Sequence, residues 1–255
     1  MTRGTPEAPR LGKFFYAVIL PEGKPLPALV GLDDKGIHSI SYQDIAAVVS
    51  DYPVTTIKAL RKNLFPYHQV TRTLAESCTT IPARFGQIAQ HGEEVFTILR
   101  RHYSRLRPEL ERLHHKLEMG VQVFWQVDNL FEYLIQQDRG LKGLRDRLLQ
   151  KSSSVTRQEQ IEFGGRLRDK LQEARVRVSQ RTMAPLQEVA VEAKVDEPTE
   201  EKMAMNGLFL VWKEQQQQFI AQVEKAAGFM GKEYALKVDG PWVPFNFIEH
   251  IELGL

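Results

Sequence analysis

Val121-Gln122-Val123-Phe124-Trp125-Gln126-Val127 alternates apolar and polar side chains, the period of a half-buried strand. Further along, Met203-Ala204-Met205-Asn206-Gly207-Leu208-Phe209-Leu210-Val211-Trp212 is almost wholly apolar, as a central strand covered on both faces would be. What lies between and after these two runs decides the fold. Leu130–Gln137 and Leu141–Lys151 have helical spacing, with Gly140 between them, and Ser152-Ser153-Ser154 is a polar break. Thr156 with Glu159 three residues on forms a capping box. Ile161, Leu167, Leu171, Ala174 and Val178 then mark a long helix expected to end near Arg181, ahead of Pro185. Leu186–Val195 alternates and is expected to be a strand, followed by an acidic loop, Asp196–Lys202. After the central strand, Phe219, Val223, Ala226 and Met230 share one helical face within Glu214–Met230. Glu233–Val238 is the last strand, closed by Asp239-Gly240-Pro241. The order from Gly120 is thus β, helices, β, β, helix, β. This is the βαββαβ pattern of a ferredoxin-like domain with extra helices in its first crossover, over residues 119–239.

Working back, Phe14-Phe15-Tyr16-Ala17-Val18-Ile19-Leu20 is a continuous apolar run of β-forming residues ended by Pro21. A turn at Asp33-Asp34-Lys35-Gly36 is expected to join strands Ala28–Leu32 and Ile37–Ser41, and Ile45–Ser50 is a further strand. Helical spacing of Leu60, Leu64, Tyr67, Thr71 and Leu74 falls within Lys58–Ser77. Pro66 suits a first turn better than an interior, which allows the helix to begin there. Thr79-Thr80-Ile81-Pro82 is short and extended. Val95, Leu99, His102, Leu106, Leu110, Leu113 and Leu117 form an amphipathic stripe, which Pro108 is expected to kink or split. The expectation is an α+β chain of two domains. A loose tail, 1–12, precedes an N-terminal small sheet with helices, 13–118. The ferredoxin-like domain follows, and an aromatic tail, 240–255, docks back on the N-terminal domain.

The chain has 255 residues, 42% hydrophobic and 26% charged, which excludes a wholly disordered polymer. Mean hydropathy is −0.34, and no apolar run is long enough for a membrane-spanning helix. Met1–Lys13 holds charges and prolines without an apolar core, so no secretory signal is expected. The single cysteine, Cys78, allows no internal disulfide and no multi-thiolate zinc site. The overall charge of +2 hides an uneven distribution. Residues 139–181 carry 12 Lys/Arg against 5 Asp/Glu, while 188–201 carry 1 Lys against 6 acids. A basic region beside an acidic one can bind an anionic partner, pair internally, or be a solvated face.

Catalytic devices are missing from the pattern. The seven histidines form no HExxH or Cys/His spacing. No GxGxxG, Walker A or GxSxG sequence occurs. Cys78 lies ten residues after His68, so a thiolate–imidazole pair with Arg84 nearby would need the fold to assemble it; a buried structural cysteine is the simpler expectation. Gly140-Leu141-Lys142-Gly143 is a GxxG in a basic stretch, the loop with which KH domains clamp RNA. The strand from Asn206 to Lys213 nevertheless lacks the leading base and the two stacking aromatics of an RNA-reading strand.

Three stretches resemble the gas vesicle protein L/F family (GvpL/GvpF). Ile81-Pro82-Ala83-Arg84-Phe85-Gly86 is similar to that family's LPvRFG segment, and His68 suits the histidine expected upstream. Asn206-Gly207-Leu208-Phe209-Leu210-Val211 is similar to its N-x-AFLV strand. Asp239-Gly240-Pro241-Trp242-Val243-Pro244-Phe245-Asn246-Phe247 is close to its GPWPPYSF terminus, with Val243 for a proline, Phe245 for the tyrosine and Asn246 for the serine. The resemblance spans residues 14 to 248. It implies a non-enzymatic gas vesicle accessory or minor structural protein, cytoplasmic and at the gas vesicle, that binds the hydrophobic main shell protein and other accessory proteins. No cofactor, metal, nucleic acid or membrane partner is expected. The motif residues His68, Pro82, Arg84, Phe85, Gly86, Asn206, Gly240, Pro241, Trp242, Pro244, Phe245 and Phe247 are expected to be structural or partner-binding. RNA binding through the ferredoxin-like domain and small-molecule chemistry around Cys78, His68 and Arg84 are the alternatives.

Overall fold

The computed structural model describes residues 10–23, 25–151 and 154–248. It is a mixed α+β structure with two antiparallel sheets and, among the described residues, six α-helices. Its contacts divide it into two compact units. One runs to Leu117 and takes up the chain again from Trp242; the other is Glu118–Pro241.

The first unit is built on β1 (Leu11–Leu20), whose residues from Phe14 to Ile19 are buried. The sheet has the order β2 (Ile37–Tyr42), β3 (Ile45–Pro53), β1, β4 (Thr79–Pro82), and a short β5 (Ile88–Ala89) also pairs with β1. The β1–β3 register runs from Leu11 opposite Pro53 to Ile19 opposite Ala46, with a bulge between Phe15 and Ala17. Ala28–Leu32 does not form the expected strand. Val30 makes one isolated bridge to Gly36, and Leu32–Asp34 is a 3-10 turn. The Leu32 N–H donates to the Tyr16 hydroxyl at 2.9 Å, so this buried residue is satisfied without a strand partner.

Two helices serve this unit. Helix α1 (Arg61–Ser77) starts before Pro66 and holds it inside. Helix α2 (Gly92–Leu113) runs unbroken through Pro108. A proline inside a helix costs about 3 kcal/mol. Here Leu106 and Leu110 flank it, both fully buried, and burying each stabilises by roughly 2 kcal/mol. The core stripe therefore outweighs the break. Leu117, expected at the end of the stripe, stands instead on the next strand.

The second unit has the sheet order β7 (Glu192–Asp196), β8 (Met203–Trp212), β6 (Lys116–Trp125), β9 (Tyr234–Trp242). Strand β6 begins earlier than expected and carries Gly120 inside it, against Asp239 of β9. Helices α3 (Leu130–Gln136), α4 (Arg139–Lys151) and α5 (Arg157–Gln187) follow, and α6 (Gln216–Gly228) packs against β8. The capping box forms: the Glu159 N–H donates to the Thr156 hydroxyl at 3.3 Å and Thr156 N–H to the Glu159 carboxylate at 3.0 Å. Helix α5 passes the expected end at Arg181 and contains Pro185, because Met183 and Leu186 are buried in its last turns. The strand expected over Leu186–Val195 accordingly starts only at Glu192.

Candidate functional site

The first motif leaves β4 and turns. Ile81 lies opposite Val18 and Pro82 opposite Ala17, which fixes the start of the segment against the central strand. The Ala83 N–H donates to the Tyr16 carbonyl at 2.9 Å, and the Ala83 carbonyl accepts from the buried Tyr67 phenol. Burial pushes the Tyr67 phenol well above its usual range. The Phe85 ring stands edge-on to Phe14 and Tyr67, with centroids 5.8 and 5.4 Å away. Gly86 has φ +89°, a left-handed conformation that favours glycine. Pro82, Phe85 and Gly86 thus shape an aromatic corner. Arg84 stands apart from it: its side chain is exposed and, among the described residues, has no hydrogen-bond or ion-pair partner. His68, on α1, is exposed as well, its ring edge-on to Tyr67.

Cys78, His68 and Arg84 do not gather into a reactive trio. Cys78 is buried with its thiol 3.3 Å from the Leu74 carbonyl, whereas the other two face solvent. Among the described residues, no group of three or more His, Cys, Asp or Glu side chains is placed to hold a metal ion. The GxxG is not a loop. Gly140 and Gly143 lie inside the first turns of α4, whose start is capped by the Asp138 carboxylate accepting from Leu141 N–H at 3.0 Å. Phe209, the ring in the middle of the candidate RNA-reading strand, is fully buried against Phe219 of α6 at 5.1 Å. Much of the basic region is paired: Arg145 with Glu132 and Asp146, Lys151 with Glu159, Arg166 with Glu162, Lys170 with Asp138. Asn206 is half-buried on β8 opposite Asp196 of β7.

The third motif belongs to an element that the sequence pattern cuts short. Strand β9 continues through Gly240 and Pro241 to Trp242, and Gly240 has φ +119°. From Trp242 the chain rejoins the first unit. Val243 and Pro244 are buried, Phe245–Phe247 form a 3-10 turn, and Phe247 is buried at its end. The Arg112 guanidinium of α2 donates to the Phe247 carbonyl. The same guanidinium forks the carboxylate of the buried Glu109 at 2.8 and 2.9 Å. Trp242 and Phe245 stay half in water, 50% and 42% exposed. The Glu109–Arg112 pair is absent from the sequence reading. Its signal was a carboxylate at helical spacing within an apolar stripe, followed by an arginine three residues later.

A family model described as "Gas vesicle synthesis protein GvpL/GvpF" matches residues 12–249. The chain belongs to the GvpL/GvpF family. Gas vesicle protein F of a Nostoc species is 25% identical over 244 residues, which cover 93% of this chain and 98% of that one. Gas vesicle protein L1 of Halobacterium salinarum is 24% identical over 264 residues, covering 94% and 91%. In fold, the chain matches the crystal structure of gas vesicle protein GvpF from Anabaena with a TM-score of 0.83 at 23% identity, over 94% of this chain and 99% of that chain. The GvpF crystal structure from Microcystis aeruginosa gives 0.78 at 21% over the same shares. Membership of this family gives the chain a gas-vesicle-related role. Among the described residues, no helix is long and apolar enough to cross a membrane.

Proposed function

We propose that this chain is a non-enzymatic gas vesicle assembly factor in the cytoplasm and at the vesicle. It binds the hydrophobic main shell subunit and covers that subunit's apolar surface until it joins the shell. The observation that carries this reading is the state of the family's terminal motif. Its inner residues are anchored on Arg112, yet Trp242 and Phe245 remain half exposed. Two half-exposed aromatic rings held at a fixed place suit an apolar partner. Exposed Arg84 and His68 are the other candidates for partner contact, while Pro82, Phe85, Gly86, Gly240, Pro241, Pro244 and Phe247 serve as scaffold and Asn206 is assigned to the sheet of the second unit. Shielding of this kind is a binding function and needs no cofactor.

Two finer structural readings belong with this proposal. The sheet order β7-β8-β6-β9 supports a ferredoxin-like description of the second unit. The Arg112–Phe247 hydrogen bond supports docking of the aromatic tail on the N-terminal domain, with the domain limit near residue 118. The test is co-expression with the main shell subunit. The parent chain is expected to co-purify with it and keep it in solution, and Trp242→Ala with Phe245→Ala is expected to lose at least about tenfold in affinity, as removal of central aromatic anchors does. If the doubly substituted chain folds and retains the subunit as the parent does, the tail is scaffold only. If the parent itself fails to retain the subunit, the shielding role is wrong.

A further inference from the structure

The second unit carries two exposed patches of opposite sign. Helices α4 and α5 pack together as a hairpin, and from Arg157 to Glu173 no residue of α5 is buried. Its apolar residues Phe163, Leu167 and Leu171 are only half-buried. Arg157 and Arg168 are exposed along it and Arg139 is exposed at the start of α4; none of the three has an ion pair among the described residues. Leu149 and Ile161, on either side of the turn between the helices, are 70% and 57% exposed. The other patch lies on β7, an edge strand of its sheet. There Val191 and Val195 are exposed, and Glu197, Glu200 and Glu201 follow, all exposed and without ion pairs among the described residues. Arg175 reaches this segment only at main-chain oxygens, donating to the Glu201 and Met203 carbonyls at 3.2 Å, so the carboxylates stay uncommitted.

Within one chain the Arg157 end of the hairpin does not reach the acidic segment, which Arg175 touches. Along α5, Arg157 lies about 27 Å from Arg175, at 1.5 Å per residue. We propose that two copies of this chain associate through these patches. The basic hairpin of one copy meets the acidic β7 edge of the other, with the exposed leucine, isoleucine and valines between them. An antiparallel, two-fold arrangement uses both patches of both copies and closes at a dimer. This inference is independent of shell-subunit binding, since it concerns the purified chain alone.

The experiment is sedimentation analysis of the full chain at about 0.1 M and about 1 M salt, where charges are screened over roughly 10 Å and 3 Å. A dimer is expected at the lower salt, weakening by about tenfold or more at the higher. The charge reversals Arg157→Glu with Arg168→Glu, and separately Glu200→Lys with Glu201→Lys, are expected to give monomers with unchanged circular dichroism. Mixing the two variants in equal amounts is expected to restore a dimer, because each then presents the sign the other needs. A parent chain that stays monomeric at the lower salt overturns the proposal. So does a dimer that neither reversal disturbs, or a mixture that fails to reassociate.

Discussion

Arg112 donates to both oxygens of Glu109 and to the carbonyl of Phe247. Its replacement by alanine removes the two-pronged ion pair from a carboxylate that is almost wholly buried, and breaking such a pair costs up to about 3 kcal/mol. Arg112→Ala is therefore expected to lower the urea midpoint by that amount of stability; a change under about 0.5 kcal/mol would mean the pair behaves like a surface one. Tyr52 sets a limit at high pH. Burial and the hydrogen bond to Asp33 push its phenol up to about 12 from 10.0. The folded state thus keeps the proton that the unfolded chain gives up. The resulting stability is whole below pH about 10 and is lost as pH climbs toward about 12. Urea midpoints measured across this range are expected to fall, and to fall less in Tyr52→Phe. At this scale the sequence tells residue types but not their exposure. Phe85 and Arg84 are neighbours in the motif, yet the turn at Gly86 seats the ring inward and leaves the guanidinium in water.

Elements were legible where one signal dominated. Met203–Trp212 is a strand from its first residue to its last because every local preference and both packed faces agree. The capping box at Thr156 placed the start of α5 within a residue. Boundaries set by burial elsewhere were not legible. Proline and glycine rules are local, and at Pro66, Pro108, Pro185 and Gly120 the packing of neighbouring side chains decides instead. Gly164 and Gly165 show the opposite case, since both lie inside α5 with no core contact to justify them. A Cβ at Gly164 meets nothing within 4 Å, and at Gly165 only the end of Arg168 at 3.9 Å. Gly164→Ala is expected to stabilise the chain by about 1 kcal/mol, the helix-propensity difference, read as a higher unfolding temperature. A loss of stability there would mean that α5 needs its flexibility or bends at this point.

At the scale of the whole molecule, family membership was legible from three short stretches, and the match runs over nearly the full chain. The last of those stretches already raises the expectation that the tail docks on the N-terminal domain; what it does not disclose is the Arg112 guanidinium that meets Phe247 there. Residues from Trp242 on belong with those up to Leu117, and Phe247 is held from α2. The second unit is thus an insertion within the first. Synthesis on the ribosome runs in one direction only. The β1 sheet can gather as soon as its strands emerge, but the seat beside Arg112 stays vacant until well over a hundred further residues have been translated. The inserted unit is complete first, and the earliest part of the polypeptide is the last to be finished.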